Sequence, residues 1–118
     1  MKALVYTEKK NLIYQDYSDP IKNKDEEIIK INSVGICGSD MHAFLGHDER
    51  RPSPLILGHE PSGIIFGGEN DGEKVTINPL VTCGHCRFCI SSRDNLCLTR
   101  QIISMPPREG AFAEYVSI

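Results

Sequence analysis

Four of the five cysteines, Cys83, Cys86, Cys89 and Cys97, lie close together, with two, two and seven residues between successive members. A short loop can turn thiolates at that spacing toward one point, which suits tetrahedral zinc closed on every position by sulfur. Such a site holds structure and leaves no place for substrate. Two other readings stay open on the residues alone. The first three cysteines share the two-residue gaps of a bacterial iron–sulfur run, although the fourth gap is longer than in that run and Leu98 follows where it has proline. Disulfides are disfavoured by the odd cysteine count and by the lack of a secretory leader, both of which fit a reducing cytoplasm with metal-bound thiolates. His85 could replace one thiolate, but four already complete the set, so a surface position is expected for it.

Two further groups carry chemistry. Cys37, Ser39, Asp40 and His42 follow a glycine-flanked turn, and Gly58-His59-Glu60 ends an apolar run. These residue types ligate metals, orient ligands or pass protons. Singly they have plainer readings: Cys37 as a small buried hydrophobe, Ser39 as a helix cap, His59 as a satisfied loop residue and Glu60 as a solvated charge.

The elements that must position these groups are mostly strands. Lys2 to Thr7, Asn11 to Asp16 and Glu26 to Val34 read as three strands, the last with an imperfect alternation that buries one face. One or two helical turns are expected after Cys37, and an apolar strand over Pro54 to Leu57 precedes the Gly58 turn. Asp71-Gly72 between β-prone runs at Ser62 to Gly67 and Lys74 to Pro79 predicts a tight hairpin. Gln101 to Met105 and Gly110 to Ile118 supply further strands. His47, Arg50 and Arg51 are expected on a solvated loop.

With 118 residues and a net charge of −3, the chain makes one modest domain without a basic face. Nucleic-acid binding is therefore disfavoured, and no apolar run approaches the ~20 residues needed to span a bilayer.

Taken in order, Gly35-Ile-Cys37-Gly-Ser39-Asp40-Met-His42, Gly58-His59-Glu60, the cysteine lobe and Gly110-Ala-Phe-Ala-Glu-Tyr115 resemble the zinc-dependent medium-chain alcohol and polyol dehydrogenases. The resemblance covers nearly the whole chain and falls on that family's N-terminal catalytic, GroES-like domain. It implies a mainly β fold, a partly open antiparallel β-barrel with short helices and a zinc-binding cysteine lobe at residues 83–97. It further implies Cys37 and His59 as two ligands of a catalytic zinc, and Cys83, Cys86, Cys89 and Cys97 as ligands of a structural one. Ser39 then stands as proton relay and His42 as its outer member. Asp40 is the partner of the His59 ring, and Glu60 the carboxylate behind the metal that transiently ligates it.

The sequence departs from the family pattern in places. Gly72-Glu-Lys-Val75 stands where Gly-Asp-Arg-Val is commonest, in a stretch shorter than usual. The third catalytic ligand is expected beyond Ile118, as is the domain that would bind NAD or NADP, so the isolated chain, residues 1–118, is expected to be inactive. A small-molecule alcohol or polyol is the implied substrate, and oligomerisation is expected only of a full-length protein. The rival functions are a stand-alone zinc-stabilised binding or assembly module and an iron–sulfur electron carrier.

Overall fold

A computed structural model describes residues Met1–Ile118. The strands are β1 (Lys2–Glu8), β2 (Asn11–Asp16), β3 (Ile28–Gly35), β4 (Leu55–Ile56), β5 (Glu60–Ile65), β6 (Lys74–Thr76), β7 (Leu80–Val81), β8 (Gln101–Ile102) and β9 (Tyr115–Ser117). One short helix, α1 (Gly38–Phe44), joins them, with 3₁₀ turns at Cys89–Ser91 and Asp94–Leu96. None of these helices is long and apolar enough to cross a membrane.

Three antiparallel sheets form, in the orders β2-β1-β4, β6-β5-β3-β9 and β7-β8, and they do not close into a barrel. The mainly β, partly open architecture expected from the sequence is thus present. Alternation places Ala3 and Val5 of β1 on the inner face, where they pack with Ile56. Tyr6, Leu55, Leu57 and Ala43 of α1 make a second cluster, and Ile29, Ile65 and Val116 a third. Phe112 packs against both of the first two clusters, so the segment before β9 stitches them together.

Several elements are shorter or differently placed than expected. The Pro54 to Leu57 strand is regular only at Leu55–Ile56, and β5 begins at Glu60, ahead of the expected Ser62. The β5–β6 hairpin exists, but its turn is not a tight two-residue one. Ile65 and Glu73 close a loop in which the Gly67 N–H donates to Asp71 Oδ1 at 2.6 Å, because Gly67, Gly68 and Gly72 all take positive φ and widen the turn.

Two polar clusters tie distant segments together. Glu109 accepts from the Tyr17 hydroxyl at 2.8 Å and the Ile56 N–H at 2.7 Å. Glu26 pairs with Arg108 and accepts from the Ser117 hydroxyl and the Asn23 amide. Burial pushes the Glu26 carboxyl up, yet the hydrogen bonds from Ser117, Arg108 and Asn23 outweigh it and bring the group down to about 2.

Candidate functional site

The helix α1 begins immediately after Cys37, which lies two residues past the end of β3 and caps the helix with extended backbone (φ −85°, ψ 154°). Asp40, in the first turn and 3% exposed, sends its carboxylate back to the Cys37 N–H at 3.0 Å through Oδ2. Its Oδ1 accepts from the Gly58 N–H at 3.2 Å. One buried carboxylate therefore fixes the main chain on both sides of the site, the anion also suiting the positive end of the helix.

Gly58 lies at φ +90°, and a Cβ there would come within 2.7 Å of the Phe112 ring. Only glycine meets both demands, and this turn swings His59 toward α1. One donor atom each from Cys37, His59 and Glu60 then lies within 4.8 Å of the others. Glu60 folds across Gly35, where a Cβ would stand 2.5 Å from Oε2, so the absent side chain leaves room for the carboxylate.

The His59 ring fits a metal in its orientation. Its Nδ1 is buried, lies 3.4 Å from Asp40 Oδ1 and has no hydrogen-bond partner, while Nε2 stands 3.5 Å from Ser39 Oγ. A carboxylate facing Nδ1 favours the tautomer with its proton there, which frees the Nε2 lone pair. Ser39 thus sits beside the donor cluster, and His42, three residues along the same helix, is exposed to solvent. The cluster can hold a cation on sulfur, nitrogen and oxygen, next to a hydroxyl able to carry a proton.

The four cysteines of the lobe converge as their spacing predicts. Sγ–Sγ distances are 3.6 Å for Cys86–Cys89 and Cys83–Cys97, and 4.0 Å for Cys83–Cys89, and all five cysteines are free of disulfides. Four sulfurs about 2.3 Å from one tetrahedral ion lie about 3.8 Å apart, which matches. A four-iron cluster binds each thiolate through a different iron and spreads the sulfurs further. The cavity therefore fits a single tetrahedral ion such as zinc.

The N–H groups of Cys89 and Leu98 bring the Cys86 thiol down to about 6, and the Cys83 N–H brings Cys97 down. Burial pushes Cys89 up, reinforced by its hydrogen bond with Cys86. His85 is exposed beside this centre, its Nδ1 2.7 Å from the Cys83 carbonyl, and joins no ligand set.

One expectation is corrected outright. Arg51 does not lie on a solvated loop: it is 3% exposed and hydrogen-bonds inside the molecule, whereas His47 and Arg50 are exposed. Besides the nearby Asp48 carboxylate its partners are two backbone carbonyls, which carry no residue signature, so the sequence held no signal beyond the Asp48-x-x-Arg51 spacing.

Comparison with known proteins points the same way. Residues 23–118 match the family described as the alcohol dehydrogenase GroES-like domain. The chain is 38% identical over its whole length to L-galactonate-5-dehydrogenase of Escherichia coli (strain K12) and to sorbitol dehydrogenase of Bacillus subtilis (strain 168), covering 36% of each. Among solved structures, an alcohol dehydrogenase from Thermus sp. ATN1 superposes with a TM-score of 0.89 at 27% identity, over 100% of this chain and 37% of that one. Galactitol-1-phosphate dehydrogenase from Escherichia coli does so at 0.86 and 31% identity, over 100% of this chain and 36% of that one. The chain thus spans little more than a third of the length of these relatives.

Proposed function

Because this chain belongs to the alcohol dehydrogenase GroES-like domain family, we propose that it forms the catalytic portion of a zinc-dependent, NAD(P)-linked alcohol or polyol dehydrogenase. The observation that carries the reading is the approach of donor atoms of Cys37, His59 and Glu60 to within 4.8 Å of one another, with the buried Asp40 carboxylate against the Cys37 N–H and the His59 ring. A purely structural module has no need of that second donor cluster beside a complete four-sulfur site.

In this reading Cys37 and His59 hold the catalytic zinc, Glu60 stands behind it, and Cys83, Cys86, Cys89 and Cys97 hold a structural one. Zinc, when bound, supplies the Lewis acidity that makes an alcohol hydroxyl a better acid. The chain's own residues do the rest. Asp40 holds the His59 ring and the Cys37 main chain in register. Ser39 Oγ accepts the hydroxyl proton and donates its own toward His42, which releases it to solvent. A nicotinamide, when bound, would supply the two-electron hydride acceptor that the oxidation of an alcohol to a carbonyl requires. In this reading a separate domain binds the dinucleotide, and oligomerisation belongs to that larger protein.

The test is mutational, in the full-length protein. Cys37→Ser and His59→Ala are expected to remove one zinc of two and to abolish NAD(P)-linked oxidation of a panel of alcohols and polyols, with the fold retained. Full activity in either variant, or iron in place of zinc on elemental analysis, sinks the proposal.

A further inference from the structure

Arg51 makes contacts that the proton relay and the two donor clusters leave unexplained. Its Nη1 donates to the Ser39 carbonyl at 3.0 Å and its Nε to the Ser104 carbonyl at 2.9 Å. Asp48 Oδ2 lies 3.4 Å from Nη1, and that carboxylate is also held by Arg50 through Nε at 2.8 Å and Nη2 at 3.0 Å. The buried guanidinium thus spans from the first turn of α1 to the segment just beyond the cysteine lobe. Its rigid fork of donors can do this where a lysine, with donors at one point, cannot.

Ser104 is built for the contact at some expense. It is fully buried, takes φ +68°, and leaves its hydroxyl without a partner. A non-glycine residue in that region is strained, and an unpaired buried hydroxyl adds to the penalty. What the turn gains is a carbonyl aimed at Arg51. Both arms of the lobe reach this point. The β7–β8 ladder pairs Leu80 with Ile102, and the Ile103 N–H donates to the Pro79 carbonyl at 3.1 Å.

We propose that Arg51 is a positioning residue, a strut through which the folded cysteine lobe holds the first turn of α1, and with it Ser39, in place. The role assigned to Ser39 rests on the dehydrogenase reading; the mechanical link does not.

Hydrogen exchange read by mass spectrometry tests the link in a cycle of four zinc-loaded proteins: wild type, Arg51→Met, Cys89→Ser and the double variant. Opening the lobe with Cys89→Ser is expected to speed exchange in residues 37–44 about tenfold when Arg51 is present, and less than about twofold when it is methionine. Exchange in β1 and β2 should stay unchanged throughout. Equal effects of Cys89→Ser in both backgrounds overturn the strut. Should Arg51→Met unfold the chain globally, Arg51→Lys takes its place in the same cycle. It keeps a charge beside Asp48 but cannot reach both carbonyls, so the coupling should fall partway, and undiminished coupling again overturns the proposal. In an active full-length enzyme the same variants should lower kcat several-fold with KM nearly constant. If no dehydrogenase activity exists at all, the functional reading fails while the exchange cycle still decides the strut.

Discussion

Replacing Asp40 with asparagine probes the centre of the site with almost no change of shape. The carboxylate accepts from two backbone N–H groups, of Cys37 at 3.0 Å and Gly58 at 3.2 Å, and faces His59 Nδ1 at 3.4 Å. Asparagine has a single acceptor oxygen, so one buried amide loses its partner, a penalty of about 1–3 kcal/mol. If the new NH₂ instead turns toward His59, Nδ1 must accept, the ring proton moves to Nε2, and the atom proposed to ligate is blocked. Either outcome strikes Cys37 and His59 but not the lobe. Loss of a group that orients a ligand typically weakens metal binding by about 10–100-fold, and at roughly 1.4 kcal/mol per decade this matches the hydrogen-bond estimate. The assay is zinc competition against a chromophoric chelator in the full-length protein, with Cys89→Ser as the control that weakens the lobe. Asp40→Asn should lower affinity at one centre by 10–100-fold. Unchanged affinity there, or parallel loss at both centres, would refute the reasoning.

Two glycines close to the site should respond in opposite ways. At Gly35 the nearest obstacle to a methyl group is the flexible end of the Glu60 side chain, with Glu60 Cβ at 3.2 Å behind it, so Gly35→Ala should cost about 1–2 kcal/mol while displacing that carboxylate, seen as altered activity at slightly lowered Tm. At Gly58 the obstacles are positive φ and the Phe112 ring, so Gly58→Ala should lower stability by about 2–4 kcal/mol in urea titration. For Glu26, brought from 4.5 to about 2 by its hydrogen bonds, the folded state holds the proton less tightly than the unfolded state. Its stabilisation is therefore complete above pH 4.5 and lost as the pH falls toward 2, with about 3 kcal/mol as the ceiling. The stability gap between wild type and Glu26→Gln, measured by urea unfolding, should narrow across that range, and a constant gap would show that the carboxylate gains nothing from folding.

The sequence carries its clearest signals where the determining contacts are local. The two-residue cysteine gaps foretold the lobe, and β-prone runs foretold β1, β2 and β3 nearly to their ends. Family resemblance brought Cys37, His59 and Glu60 into one expectation, and the fold places them side by side. What stayed hidden depends on partners far along the chain. Arg51 hydrogen-bonds a carbonyl 53 residues away, and Arg108 pairs with Glu26 across 82 residues. A charged residue in a proline-bearing loop reads as solvated until the fold supplies its acceptors. The hairpin turn differs from its expectation for another reason: Asp-Gly signals a tight turn, but three positive-φ glycines together build a wider one.

The lobe leaves and re-enters the molecule at neighbouring points, since Val81 pairs directly with Gln101. Everything between them is an excursion whose ends are already stapled together. Such a segment is a detachable module: replacing residues 82–100 by a short turn need not move the strands on either side, and lengthening it carries only the slow logarithmic cost of a larger loop. In evolutionary terms this is a place where the fold can gain, lose or exchange a metal-binding appendage without rewriting its core.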